Sequence, residues 1–278
     1  MKKVLKIISS VSQEVRGLLK LIMCEFTKLK RKKFILLTIL SAFLFPVPVT
    51  VMMTTPQMTG RYDSDAEIFN ACFQFIMGYG VELLLPCVIG VIAAMLFFME
   101  RDNDTFKNLR TIPVTSSQMI FAKIMVLFIM GIIFSLSSAF AAVICGSLVA
   151  EVNGVFYKLL IAFEMGVFTT AGTLPIIVFV VFFSKTYIFS ILLCVSYSVL
   201  SMTAESCFGA LPKMMCWLMP IPLTTLWSAG DMERHGIIEL GDTLAYLVPT
   251  TFQTIAILGV EAFLSVVMID YLYKKRRE

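Results

Sequence analysis

Residues 84–115 read LLPCVIGVIAAMLFFMERDNDTFKNLRTIPVT. From Leu84 to Met99 the run carries no charge, and then Glu100, Arg101, Asp102 and Asp104 follow almost at once. A helix in a soluble domain keeps a polar face, whereas an apolar run that stops on a charged collar reads as the end of a membrane span. The same reading recurs along the chain and gives spans at Phe34–Met53, Phe75–Met99, Met119–Ala150, Leu159–Phe183, Tyr187–Ala204 and Ala245–Tyr273. The fold class expected is an all-α membrane protein of six transmembrane helices. Composition agrees: 58% of the 278 residues are hydrophobic and 15% charged, where soluble domains carry about 25% charged residues. Mean hydropathy is +0.88.

Outside the spans the cations are polarised. Residues 1–33 hold ten Lys/Arg, and with the N-terminus inside, nineteen of the twenty-three fall on the inner side. Only Arg61, Lys158, Lys213 and Arg234 remain outside, so both termini are expected in the cytoplasm. Val15, Leu18, Leu19, Ile22, Phe26 and Leu29 recur at helical spacing ahead of Lys30–Lys33, which predicts a basic amphipathic helix over residues 1–33 lying in the headgroup layer. Residues 34–278 then form the transmembrane domain. The segment 205–244, with Pro212, Pro220, Pro222, Trp217 and Trp227, is expected to make a short re-entrant or interfacial hairpin on the outer face. A seventh, irregular span is the alternative, and it would put the basic tail outside.

Several chemistries are excluded. One histidine, His235, does not supply a histidine metal site or a triad, and no metal is expected. Seven cysteines form no CxxC pair; Cys24, Cys72, Cys87, Cys145 and Cys194 read as small hydrophobes, while Cys207 and Cys216 share a loop and could pair. No GxxxxGK[ST] loop, HExxH or GxSxG occurs, so a pump built on this chain takes its energy from a separate subunit. Nucleic acid is not expected as a partner.

The charged half of the opening stretch carries the sharpest signal. Asp102 or Asp104 can cap a short helix through Phe106 and Leu109, Pro113 ends it, and Thr115, Ser116 or Ser117 can cap the next span. Glu100 followed by Asp104-Thr105-Phe106-Lys107-Asn108-Leu109, Ile112-Pro113-Val114-Thr115 and Ala122-Lys123 resembles the coupling region of type-2 ABC exporter permeases. Cys24-Glu25-Phe26-Thr27-Lys28-Leu29-Lys30-Arg31 resembles the elbow helix of that family, and the 84–115 run is most similar to the bacitracin-resistance permeases, with the lantibiotic-immunity permeases close to them. The basic extension over residues 1–20 exceeds the minimal family layout and suits anionic lipid.

The resemblance implies a non-catalytic subunit of the bacterial cell membrane with no cofactor of its own. ATP and Mg would sit on a partner, an ABC ATP-binding subunit in two copies. A second permease copy, or a sister permease, would complete the assembly. Glu100, Arg101, Asp104, Phe106, Lys107 and Arg110 would couple the ATPase to the spans, with Glu25 and Lys28 in the elbow. The implied substrate is a peptide antibiotic of the bacitracin kind, with lantibiotic immunity or export of another drug as the alternative.

Glu82, Glu164 and Glu261 interrupt apolar spans, where a mid-bilayer charge costs ~2.5–3.5 kcal/mol, so function is the default reading. At 1.5 Å per residue Glu82 lies ~27 Å and Glu164 ~32 Å from the inner charged collars, and Glu261 ~20 Å. They are expected to line an outer-leaflet cleft that meets a cationic or metal-bearing peptide; an interhelical hydrogen bond is the plainer alternative. An ion-coupled carrier or channel would use such acids too, and would leave the cytoplasmic loop without a purpose. A membrane-embedded enzyme would need converging acid–base groups that these separated glutamates lack.

Overall fold

The structure, a computed structural model, describes residues 2–102, 114–183 and 187–277, with side chains described over 15–99, 114–183, 187–242 and 244–275. There is no strand among the described residues. Six helical stretches are long and apolar enough to cross a membrane.

Helix α1, Lys2–Arg31, turns at Lys33, whose φ of 59° is left-handed, into the first span. That span is broken into α2, Phe34–Ala42, and α3, Pro46–Met53, because Pro46 has no N–H to continue the ladder. After the single turn α4, Pro56–Thr59, Ser64 caps α5, Asp65–Phe75, by accepting from the Glu67 N–H at 3.3 Å, while Glu67 Oε2 accepts from the Asp63 N–H at 3.0 Å. Then comes a nine-residue π-helical segment, Ile76–Leu84, and α6, Leu85–Asp102. Helix α7, Ser116–Gly146, starts from a capping box: Thr115 Oγ1 accepts from the Gln118 N–H at 3.3 Å and Gln118 Oε1 accepts from the Thr115 N–H at 3.1 Å. The remaining elements are α8, Val155–Phe182; α9, Tyr187–Ser206; α10, Lys213–Leu218; α11, Pro220–Arg234; α12, Asp242–Ala245; and α13, Thr251–Arg277.

Two boundaries differ from the sequence expectation for physical reasons. The second span runs Asp65–Met99, 35 residues, not Phe75–Met99. Asn70 and Gln74 lower its apolar signal, but the Ser64 cap starts the helix ten residues earlier. At 1.5 Å per residue it is ~52 Å long, against a hydrocarbon core of about 30 Å. The sixth span starts at Thr251 and not Ala245, because Pro249 interrupts the apolar run; Thr250 then caps it, accepting from the Gln253 N–H at 3.3 Å. The first span runs Phe34–Met53, and the ends of the third, fourth and fifth shift by a few residues.

Spans two, three and four are 61–67% buried and form the centre, whereas spans one, five and six are 17–28% buried and flank it. Helix α8 is the hub, packing on α7, α13, α6 and α11. It meets α7 through small residues: a Cβ on Gly131 would lie 2.0 Å from Thr170 Oγ1, and one on Gly166 would lie 3.1 Å from the Gly131 carbonyl oxygen. Ser135 Oγ crosses the same seam to the Ala162 carbonyl at 2.6 Å. Helix α6 approaches α9 at Gly90, where a Cβ would strike Cys194 Sγ at 2.2 Å.

Helix α11 has 15 residues, ~22 Å of helix, too short for a span. It is drawn into the bundle with Ile221, Leu223 and Trp227 buried. Trp227 sits edge-on to Phe168 at 4.6 Å and its Nε1–H donates to Thr251 Oγ1 at 3.1 Å, while the Trp217 Nε1–H donates to the Leu247 carbonyl at 2.8 Å. Cys207 is exposed, Cys216 buried, and both are free thiols.

Lys158, placed in a loop by the sequence reading, is fully buried in the first turn of α8. Its ammonium donates to Asn70 Oδ1 at 2.7 Å, to the Asn153 carbonyl at 2.9 Å and to Asn153 Oδ1 at 2.6 Å, and lies 4.3 Å from the Phe69 ring centroid. All three ammonium protons are thus used in tying the α7–α8 connection to α5.

Candidate functional site

Two constellations of polar residues occupy opposite ends of the bundle. At the end that carries α1 and the α6–α7 connection, Glu25 is buried, although the amphipathic pattern put it off the apolar stripe. The packed side of α1 runs through Ile22, Glu25, Phe26 and Leu29, while Val15 and Leu19 are exposed. Glu25 turns inward because Lys123, fully buried near the start of α7, is there: Lys123 Nζ donates to Glu25 Oε2 at 3.4 Å and to the Leu96 carbonyl, and stands 5.6 Å from the Phe97 ring centroid. Lys28 donates to Glu25 Oε1 from the same helix. One buried carboxylate therefore ties α1 to the helices that enter and leave the α6–α7 connection. Sequence reasoning named Glu25 and Lys28 and quoted Lys123 in the motif, but gave Lys123 no role.

Glu100 and Arg101 lie in the last turn of α6, and their side chains are outside the described residues. Asp104, Phe106, Lys107 and Arg110, the rest of the expected coupling set, also fall outside the described residues.

At the other end a cavity of about 350 Å³ opens between the π segment, the end of α9 and one face of α11. Its lining includes two carboxylates, Glu82 and Glu205, with Thr225 and Ser228 on α11 facing them. Thr225 Oγ1 donates to Glu205 Oε1 at 2.9 Å, and Ser228 Oγ to Glu82 Oε1 at 3.4 Å. Phe75 and Tyr79 stack at 6.1 Å on the aromatic wall, backed by Phe45 at 6.4 Å from Tyr79. The π segment carries Glu82; such segments are rare and cluster at functional sites.

The three glutamates read from the sequence as one cleft are not brought together. Glu82 lines this cavity. Glu164 interacts with Asp231 of α11, whose Oδ2 accepts from the Tyr157 hydroxyl at 2.8 Å and whose Oδ1 accepts from Arg234 at 3.0 Å. Glu261 lies by Tyr197, and its Oε2 is buried with no hydrogen-bond partner among the described residues. The physical reason is that the π segment, α8 and α13 present their acids to different neighbours. The acid that does join Glu82 is Glu205, close enough to repel it, which sequence reasoning placed at a span boundary and did not single out. No group of three or more His, Cys, Asp or Glu side chains among the described residues could hold a metal ion.

The sequence model of one family, described as ABC-2 family transporter protein, matches residues 21–201. No curated protein matches the chain. The matched stretch covers the last third of α1, four spans, most of the fifth and the α6–α7 connection, and ends within α9, ahead of α10 and α11.

Proposed function

Because the chain belongs to the ABC-2 transporter family, we propose that it is the permease of an exporter that clears a peptide antibiotic of the bacitracin kind from the membrane and so confers resistance. The family makes it a multi-pass membrane subunit that works with a separate ABC ATP-binding subunit. Two such subunits would face two permease copies, identical or sister.

The observation that carries the coupling part of the reading is the buried Glu25–Lys123 pair. It joins α1, α6 and α7 at the connection whose sequence resembles the family's coupling region. A push on the loop bearing Asp104, Phe106, Lys107 and Arg110 would therefore not be absorbed by loose helix ends. It would pass into α6 and α7, and along α6 to the π segment. The orientation follows from the basic residues: the end holding α1 and the tail Lys274–Arg277 faces the cytoplasm. The peptide would then meet the chain at the opposite, outer-leaflet end.

The test is to purify the tagged chain from native membranes in mild detergent and to challenge a sensitive host expressing the transporter. A stoichiometric ATP-binding subunit should copurify, and Phe106→Ala with Arg110→Ala should remove it while leaving the permease in the membrane. Bacitracin protection without lantibiotic protection is the expected profile; the reverse moves the substrate to lantibiotics. Resistance retained by a chain that copurifies with no ATPase would overturn the reading in favour of an ion-coupled carrier.

A further inference from the structure

We propose that the cavity between the π segment, α9 and α11 binds a primary ammonium or guanidinium group borne on an apolar stem, with Glu82 and Glu205 as its paired counter-charges. This deepens the export reading, on which it rests for direction of transport but not for binding.

The lining contains two carboxylates and no Lys, Arg or His. Glu82 is 4% exposed. The two hydroxyls that face the acids do not neutralise them. Each hydroxyl has a single proton, and each is within reach of a second acceptor: Thr225 Oγ1 stands 2.9 Å from Glu205 Oε1 and 3.1 Å from the Ile221 carbonyl. Ser228 Oγ stands 3.4 Å from Glu82 Oε1 but only 3.0 Å from the Thr225 carbonyl. The backbone is the nearer partner for Ser228, and the Thr225 hydroxyl that also reaches Glu82 is shared with Glu205 and the Ile221 carbonyl, so the buried carboxylate has only shared hydroxyls for donors. A carboxylate offers about four lone-pair sites, and those left over at Glu82 and Glu205 converge on the cavity. An ordinary interhelical clasp would satisfy them within the bundle, as Lys158 is satisfied by its two asparagines.

The rest of the wall selects what accompanies the charge. The stacked Phe75–Tyr79 pair, Met77, Met202 and Met232 offer polarizable apolar surface to an aliphatic stem and aromatic faces to a cation. At about 350 Å³ the cavity is at the small end of the ~300–1,000 Å³ range for ligand pockets. That volume takes one side chain of a peptide, not the whole molecule. Gln74 also lines a second cavity of about 740 Å³ walled by Asp63, Glu67, Glu233 and Glu239, again without a basic residue in its lining, so a cation approaching from that side meets acids first.

The experiment reconstitutes the full chain in phosphatidylcholine nanodiscs and measures binding of decylammonium, with decanol as the uncharged twin and empty nanodiscs to subtract lipid partitioning. Wild type should show a saturable component for decylammonium and none for decanol. Glu82→Gln and Glu205→Gln should each weaken it at least tenfold. Ala229→Phe, which fills the cavity without touching a charge, should abolish it, so the test stands even where a Gln variant fails to fold. No saturable decylammonium component in wild type, or unchanged binding in folded Gln variants, overturns the proposal. Neither ATPase nor antibiotic enters the assay. Intact amine binding in a chain that gives no resistance would therefore strike the export reading and leave the site standing.

Discussion

Lys123 shows how one side chain decides the end of the bundle that carries α1. Removing one partner of a buried ion pair costs about 3–5 kcal/mol, because the other charge is left in a medium that does not solvate it. The two sides are unequal here. Glu25 is a partner of both the partly exposed Lys28 and the fully buried Lys123, so Glu25→Gln takes a counter-charge from a buried ammonium, whereas Lys28→Gln leaves the bond from Lys123 Nζ to Glu25 Oε2 in place. Glu25→Gln should therefore lower stability by up to about 3 kcal/mol, Lys28→Gln by clearly less, and Lys123→Met added to Glu25→Gln should recover part of the loss. Thermal unfolding in detergent checks the order; equal losses for Glu25→Gln and Lys28→Gln would show that the pair with Lys123 carries no weight. The sequence displayed both residues but not their meeting, since hydropathy ranks Glu25 as solvated and nothing local to Lys123 points to α1. Glu205 was hidden for the same reason: its partner is Glu82, three helices earlier in the chain.

Among the elements, the α7–α8 crossing is held at backbone distance and gives a sharp expectation. Gly131→Ala would put its Cβ 2.0 Å from Thr170 Oγ1, an atom pinned by its 2.7 Å bond to the Gly166 carbonyl. Overpacking of this kind costs about 1–3 kcal/mol. Thr170→Ala in the same chain removes the obstructing oxygen and should restore part of the folded yield measured by size exclusion. Gly166→Val should find no such rescue, because besides Ser135 Cβ at 3.0 Å it meets the Gly131 carbonyl and Ile132 Cα, which are backbone. Rescue of Gly131→Ala by no Thr170 variant would mean that the helices separate and do not repack. At this scale the sequence was legible for what hydropathy measures. The six spans, the Thr115 cap and the broken 205–244 segment follow from apolar runs, hydroxyls and prolines. The π segment was not legible: Ile76–Leu84 has no distinguishing composition beyond Gly78 and Gly80, and a π-helix reflects how α5 and α6 are held at their ends, which is a tertiary matter.

For the whole molecule, two native thiols report orientation. Cys24 on α1 and Cys207 after α9 are both exposed and lie at opposite ends, while Cys72, Cys194 and Cys216 are buried. With the basic end in the cytoplasm, a membrane-impermeant maleimide should label Cys207 in intact cells and Cys24 only after permeabilisation, with Cys24→Ser and Cys207→Ser identifying each band. The opposite pattern would invert the topology. The far end has a consequence of its own, and it concerns rates. The cavity beside Gln74 is rimmed by Asp63, Glu67, Glu233 and Glu239, next to the start of a helix that outruns the bilayer, so its field projects into water. Such a rim captures a cation by steering, reaching outward about 10 Å at 0.1 M salt. Association would then slow steeply as ionic strength rises while dissociation, governed by contacts inside, stays nearly constant. A transporter that draws its ligand from the aqueous layer in this way competes with lipid for a cationic amphiphile by arriving first, not by holding it more tightly.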